Sequence, residues 1–91
     1  IAENTCLSFK ENSGVGTQLQ FFRGGGCFSA LGRQSGSFQK ISIDVGCELV
    51  AIVGHEIAHA LGIHHTQTRK DRDSFLSVNI AAVPPQNQHN F

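Results

Sequence analysis

A run of apolar residues at helical spacing is the strongest constraint on the fold of this chain. Across residues 48–61 apolar side chains recur at intervals of three and four, as on one stripe of an α-helix: Leu49, Ile52, Val53, Ile57, Ala60 and Leu61. Glu56 is the only Asp, Glu, Lys or Arg in residues 49–63, so we predict a central helix that is buried on most sides. Gly62 is expected to end it, because glycine takes a left-handed conformation without a steric penalty.

The residues before this helix alternate between apolar and polar side chains, which is typical of half-buried strands. We predict two short strands within residues 6–10 and 18–22, and a third over residues 41–45 that stops at Gly46. The first half of the chain is therefore expected to be β-rich, and the period changes from two to 3.6 residues at the helix.

The composition excludes two classes of partner. Seven Lys and Arg balance seven Asp and Glu, so the chain lacks the basic surface that binds a nucleic-acid backbone. No uninterrupted apolar stretch is long enough to cross a bilayer, so no membrane partner is expected. The sequence predicts no particular oligomeric state.

Three cysteines point to an oxidising compartment. Cys6, Cys27 and Cys47 lie far apart, unlike the close pairs of zinc ribbons and redox motifs, so disulfides and a secreted, extracellular location are favoured. One bridge leaves a third cysteine whose partner is expected outside these 91 residues. The absence of methionine agrees with the interpretation that the chain is a fragment.

Histidines on the predicted helix have the spacing of a catalytic zinc site. His55 and His59 lie one helical turn apart, and Gly62 is placed to return His65 towards them, in the pattern His-Glu-x-x-His-x-x-Gly-x-x-His. Three neutral imidazoles leave an open coordination position, as catalytic rather than structural zinc requires. We predict one Zn²⁺ per chain, with Glu56 as the general base that takes a proton from a zinc-activated water. A site with a downstream glutamate as third ligand is not supported within these 91 residues, because no glutamate follows Glu56 in them.

The five-residue core of this motif occurs by chance on ordinary helices, whereas the eleven-residue form is much more specific. A glutamate and two histidines are also costly on an otherwise apolar helix without a compensating ligand. The spacing favours His65 over His64 as third ligand, and His64 and His89 are interpreted as surface or packing residues. Asp71 and Asp73 belong to a charge run that is typical of a solvated face, and no catalytic role is predicted for them.

Several segments resemble the astacin family of metzincin endopeptidases. Residues 68–73 read Thr-Arg-Lys-Asp-Arg-Asp, close to the family's Thr-Arg-x-Asp-Arg-Asp, and residues 4–6 match its Asn-Thr-Cys. Residues 26–29 resemble its Gly-Cys-Trp-Ser strand, with Phe28 in the tryptophan position. The resemblance implies an α+β fold, namely a metzincin-like upper lobe in which a small twisted mixed β-sheet packs on a long zinc-binding active-site helix.

The resemblance also implies roles for particular residues. It implies a bridge between Cys27 and Cys47, and a partner for Cys6 near the missing C-terminus. The strand from Cys27 would form the rim of the cleft, where Phe28, Ser29 and Ala30 would pair with an extended polypeptide substrate. Residues 1–91 would be part of the catalytic domain, without its N-terminal strands and helix and without the C-terminal lobe that carries the methionine turn.

Two departures from the family pattern qualify this interpretation. Thr66 stands where many members have a glutamate that binds the mature N-terminus, so the usual activation contact is not predicted, and threonine here resembles nematode-type members. Because the second lobe is missing, we expect these residues alone to be only marginally stable, and we do not predict that they are active alone. The alternative function is a catalytically silent zinc-binding or interaction module derived from such a peptidase, and a metal-free structural helix is a third interpretation.

Overall fold

A three-stranded mixed sheet forms the first half of the protein. The computed structural model describes residues 1–11 and 14–91, and its strands are β1 (Gln18–Phe22), β2 (Cys27–Ser29) and β3 (Phe38–Ile43). β3 lies in the centre, with β1 parallel to it on one side and β2 antiparallel to it on the other. The register pairs Phe21 with Ile41 and Phe28 with Ser42. This mixed sheet confirms the predicted α+β class.

A single α-helix in the described residues, α1 (Val50–Ala60), packs against β2 and β3. The most buried apolar residues come from β3, the connection after it, and α1: Ile41, Cys47 and Ala60. Three polar residues are equally buried: Gln39, Ser42 and Glu56. The core therefore lies where the central strand meets the helix. No helix in the described part of the chain is long and apolar enough to cross a membrane.

A disulfide joins Cys27, the first residue of β2, to Cys47, which precedes α1. The two Cα atoms lie 6.0 Å apart, within the usual range for a bridge. The pairing implied by the family resemblance is thus present. Cys6 is exposed and has no disulfide partner among the described residues.

Two polar side chains of the β3 region hold the glycine turn that leads into β2. The hydroxyl of Ser42 accepts a hydrogen bond from the N–H of Gly24 (3.0 Å) and donates one to the carbonyl of Gly26 (2.7 Å). The carboxylate of Asp44 accepts from the N–H groups of Gly25 (2.6 Å) and Val45 (2.8 Å). These bonds fix the start of the edge strand.

The strand predicted within residues 6–10 is not formed. Residues 7–10 have no regular secondary structure, and Leu7 and Phe9 are 39% and 52% exposed. The hydroxyl of Thr5 instead bonds to the nearby backbone, donating to the Ile1 carbonyl and accepting from the Leu7 N–H. Such local hydrogen bonds compete with the backbone pairing of a sheet. Alternating apolar and polar side chains also do not form a strand unless a neighbouring strand is available to pair with them.

The third predicted strand has different bounds, and a residue on its predicted polar face is buried as well as Ile41 on its predicted apolar face. β3 begins at Phe38 and ends at Ile43, before the turn closed by a hydrogen bond from Cys47 N–H to the Asp44 carbonyl. Val45 is 77% exposed, whereas Ser42 is fully buried beside Ile41. Simple alternation fails here because Ser42 satisfies its hydroxyl within the glycine turn, which allows a polar residue in the core.

The predicted burial of the helix is wrong in extent. Only Glu56 and Ala60 of α1 are buried, and Val50 is 92% exposed. Among the strands and helices that the structure describes, β2 and β3 are the ones that pack extensively on α1, and much of the rest of its surface stays accessible. After α1 the chain continues in short 3₁₀ turns: Thr66–Thr68, Arg72–Ser74, Ile80–Ala82 and Pro85–Asn90. The charge run is solvated as predicted, with surface ion pairs from Arg69 to Asp71 and from Arg72 to Asp73.

Candidate metal centre

Helix α1 places two imidazoles side by side. His55 and His59 are four residues apart on one helical face, and their ring centroids lie 4.3 Å from each other. The helix forms across these residues because the apolar positions around them contact the sheet on one side. Both rings therefore project from an α-helix and not from a loop.

The turn at Gly62 brings the third imidazole to the first two. Gly62 N–H donates to the His59 carbonyl (2.8 Å) and Ile63 N–H donates to the Ala58 carbonyl (2.9 Å), the bonds of a Schellman motif. Gly62 has φ = 94°, a left-handed conformation that an L side chain would strain. The chain therefore reverses immediately after the helix and returns His65 to its face.

The three side chains converge on one point through their Nε2 atoms. His59 Nε2 lies 3.1 Å from His65 Nε2, which in turn lies 3.3 Å from His55 Nε2. Two nitrogens bound to one tetrahedral zinc at 2.0–2.1 Å would be about 3.3 Å apart. The donor set therefore fits a single ion, and the candidate ligand atoms all lie within 4.8 Å of one another. The predicted ligands His55, His59 and His65 are brought together, while His64 is exposed and outside the cluster.

The tautomer of His59 follows from its second hydrogen bond. Its Nδ1 lies 2.8 Å from the carbonyl oxygen of Ile63, and a carbonyl can only accept, so Nδ1 carries the proton. The lone pair is then on Nε2, the atom that faces the other two rings. This is the arrangement in which a backbone carbonyl orients a metal-binding histidine.

Electrostatics favours the neutral ligand state of His65. Burial lowers the pKa of His65 below its ordinary value, and the neighbouring His59 and His55 lower it further, against an opposing effect of Glu56. A neutral imidazole keeps the lone pair that a metal requires. The cluster is thus suited to a cation other than the proton.

Glu56 is buried beside this cluster on the same helix. Its side chain belongs to a residue only 5% exposed, and its Oε2 is buried without a hydrogen-bond partner among the described residues. An unpaired buried carboxylate oxygen is costly, so an atom in this state is expected to contact water or a ligand. The position is consistent with the predicted proton acceptor.

Two of the three predicted substrate-binding residues lie on the edge strand, and the third follows it directly. Phe28 and Ser29 belong to β2, which pairs with β3 on one side only and packs on α1. Phe28 is 49% exposed, and the Ser29 hydroxyl donates to the Ala30 carbonyl just beyond the strand. His89 is exposed in the last 3₁₀ turn and does not join the histidine cluster.

Sequence reasoning missed Gln39, a buried residue of β3 whose amide holds the loop after β2. Glutamine is usually exposed, and nothing in the pattern of residues 38–40 distinguishes Gln39 from the exposed Gln20 of β1. What identifies Gln39 is its hydrogen bonds to the loop, and these can be seen only in the three-dimensional structure.

Comparisons with known proteins agree with this geometry. The family model of the astacin peptidases matches residues 1–91. The chain is 43% identical over 91 residues to zinc metalloproteinase nas-37 of Caenorhabditis elegans, covering 100% of this chain and 12% of that protein. It is 39% identical over 87 residues to Meprin A subunit beta of Mus musculus, covering 96% of this chain and 12% of that protein.

A solved structure has the same fold. High choriolytic enzyme 1, a hatching enzyme zinc-protease from the medaka fish Oryzias latipes, superposes with a TM-score of 0.75 at 42% sequence identity. The similarity covers 80% of this chain and 36% of that chain. The 91 residues therefore span a minor part of each relative's length.

Proposed function

Since the chain belongs to the astacin family of zinc metallopeptidases, we propose that it carries the metal-binding and proton-transfer residues of a zinc-dependent endopeptidase. One observation carries the proposal. Three Nε2 atoms converge at 3.1 and 3.3 Å, and a buried carboxylate without a protein partner among the described residues lies on the same helix. A structural zinc site needs four protein ligands, whereas three leave a position open for chemistry.

His55, His59 and His65 would hold the zinc ion. When bound, zinc supplies Lewis acidity, which polarises a peptide carbonyl and makes a water molecule acidic enough to lose a proton near neutral pH. The protein's share is to fix the three imidazoles: His59 through its bond to the Ile63 carbonyl and His65 through the Gly62 turn.

Glu56 would act as the general base. Its free Oε2 accepts a proton from the attacking water as the water oxygen bonds to the carbonyl carbon of the substrate. The same oxygen then returns the proton to the amide nitrogen as the C–N bond breaks, so the carboxylate is regenerated. The position of Glu56 one residue after the ligand His55 keeps this base close to the metal.

The edge of β2 would bind the substrate backbone. An extended polypeptide can add to the unpaired edge of a sheet through main-chain hydrogen bonds. Phe28 and Ser29 offer such an edge, and Ala30 would continue it. Pairing along the backbone suits cleavage within a chain rather than at its end. The Cys27–Cys47 bridge anchors this strand ahead of α1 and supports a secreted, extracellular location.

We further propose that residues 1–91 form part of a larger catalytic domain, in keeping with the 36% of the hatching-enzyme chain that they match. Cys6 would then pair with a cysteine outside these residues. The rest of the cleft would likewise be formed by residues outside this segment.

The test is Glu56→Gln in the full-length protein. This change keeps size and polarity but removes the base, so zinc content should stay as in the wild type while peptide hydrolysis falls by about 10²- to 10⁴-fold. Glu48→Gln is the matched control, because Glu48 is exposed and bonds only to the nearby Gly46 N–H and Arg23 within the described structure. Hydrolysis at the wild-type rate by Glu56→Gln would overturn the role of Glu56. A wild-type protein that binds zinc but never cleaves would identify a catalytically silent zinc-binding module instead.

A further inference from the structure

Gln39 is a buried amide in the central strand, and a loop satisfies both of its polar atoms. The residue is 3% exposed. Its Nε2 donates to the carbonyl of Gly32 (2.9 Å), and its Oε1 accepts from the backbone N–H of Gln34 (3.0 Å). Burying an amide is tolerated only when it is hydrogen-bonded, so these two contacts tie loop 31–34 to β3.

The loop is also stiffened from within. The side chain of Gln34 donates from its Nε2 to the carbonyls of Leu31 (2.9 Å) and Gly32 (3.1 Å). Gly32 has φ = 71°, so the backbone at the centre of the loop takes a conformation that suits glycine. The Gly32 carbonyl therefore has two amide donors, Gln39 and Gln34.

The same loop contacts the C-terminal end of α1. Gly32 N–H donates to the carbonyl of His59 at 2.8 Å. The two glycines lie close together, since a Cβ built on Gly32 would lie 3.9 Å from the Cα of Gly62. Gly62 N–H donates to that same His59 carbonyl, so the loop and the Schellman turn share one acceptor. The loop thus meets the helix at a metal-ligand residue and at the turn that returns His65.

We propose that Gln39 is a positioning residue for the metal centre. Through loop 31–34 it holds the end of α1 so that His59 and His65 are set before the metal binds. The inference rests on the metal site of the proposed function and is independent of whether the protein cleaves peptides. Without Gln39 the loop loses its anchor on β3, and the last helical turn loses an ordered neighbour at the His59 carbonyl.

The expected effect is on metal affinity. Residues that do not bind the metal but orient its ligands typically lower metal affinity by about 10- to 100-fold when they are removed. In the wild type the hydrogen bonds of Gln39 order the ligands before the metal binds. Without them, that ordering would have to occur on binding, and its free-energy cost would weaken the affinity. The absorption spectrum of a Co²⁺-loaded sample should also change, because it reports the ligand geometry around the metal.

The experiment measures zinc affinity by chelator competition and the Co²⁺ spectrum for Gln39→Met in the full chain, beside the melting temperature of each variant. Ser42→Ala is the matched control: Ser42 is also buried in β3 with two hydrogen bonds, but these hold the Gly24–Gly26 turn and not α1. We expect Ser42→Ala to lower the melting temperature with zinc affinity and spectrum unchanged. Gln39→Met should weaken zinc binding by about tenfold or more.

Equal zinc affinity and an unchanged spectrum in Gln39→Met would overturn the proposal, whatever the loss of stability. If Gln39→Met does not fold, the exposed Gln34→Ala decides: weaker zinc binding supports the network, and wild-type affinity refutes it. A wild-type chain that binds no zinc would overturn the metal site itself, an outcome distinct from failure of the Gln39 role alone.

Discussion

The Asp44 carboxylate shows how one ionised side chain holds two distant parts of the chain together. The backbone N–H groups of Val45 and Gly25 lower the pKa of Asp44 below its ordinary value of 3.8, with the Val45 bond the larger cause. Gly25 lies nineteen positions away in sequence, in the turn before the edge strand. The charge on Asp44 is therefore linked to the placement of β2.

The sign of the pH dependence follows from this lowered pKa. Ionised Asp44 stabilises the folded state at pH values above 3.8, and this contribution is lost as pH falls through the lower folded-state pKa. Asp44→Asn should therefore unfold at a lower temperature than the wild type at neutral pH, and the difference should shrink in acid. Thermal unfolding between neutral and acidic pH measures it, with Glu3→Gln, an exposed position, as control. A difference that is constant with pH would refute the role of the charge.

A site whose residues follow a fixed spacing can be predicted from the sequence, whereas hydrogen bonds between distant segments cannot. The preference for His65 over His64 depends on spacing alone, and His65 is the one whose ring joins the cluster. The roles of Gln39 and Asp44 are not predictable in this way, because their partners lie on other segments of the fold. No periodic pattern encodes a contact between a strand and a distant glycine loop.

Among the elements, α1 and its terminating turn determine the metal centre. The helix Val50–Ala60 lies within the predicted residues 48–61, because its apolar spacing and the final glycine are both local signals. Strands are harder to predict, since a strand also needs a partner. β1 has one in β3, whereas residues 7–10 bond locally and stay irregular.

Gly62→Ala tests the turn that links α1 to His65. An L side chain at φ = 94° should destabilise the fold by about 1–2 kcal/mol, and zinc affinity should fall because His65 depends on this turn. Chemical denaturation and zinc competition measure the two effects. The space itself is not the obstacle, since the added Cβ would meet only the Gly32 Cα, at 3.8 Å.

Gly54→Ala is the control within the same helix, and its effect should have the opposite sign. Gly54 lies mid-helix with nothing within 4 Å of an added Cβ, so alanine should stabilise the chain by about 0.5–1 kcal/mol. Zinc affinity should not change. If both alanines destabilise the chain equally, the left-handed conformation of Gly62 is not what matters.

At the scale of the whole molecule, the described residues bury few apolar side chains. The radius of gyration of 15.4 Å exceeds the value of about 12 Å expected of a compact domain of this length. Val50 and Leu49 at the start of α1 are 92% and 63% exposed. Hydrophobic burial in this part of the protein is therefore small, and other sources of stability gain importance.

Zinc should be such a source. An ion that binds only the folded state stabilises it by roughly 4 kcal/mol when its free concentration is 1,000 times Kd. Thermal unfolding of the 91-residue chain should therefore occur at a clearly higher temperature with zinc than with a chelator. The His59→Ala chain should show no such dependence. Equal melting temperatures in zinc and chelator for the wild type would contradict a ligand set completed within these residues.

The most direct test of the central claim is the zinc content of His65→Ala compared with His64→Ala. The two histidines are adjacent and equal in chemistry, but only His65 places its Nε2 against those of His59 and His55, at 3.1 and 3.3 Å. We expect the His64→Ala protein to retain one zinc per chain and the His65→Ala protein to lose it at the same free zinc concentration. Retention of zinc by His65→Ala, or its loss from His64→Ala, would show that the three-histidine centre is wrong.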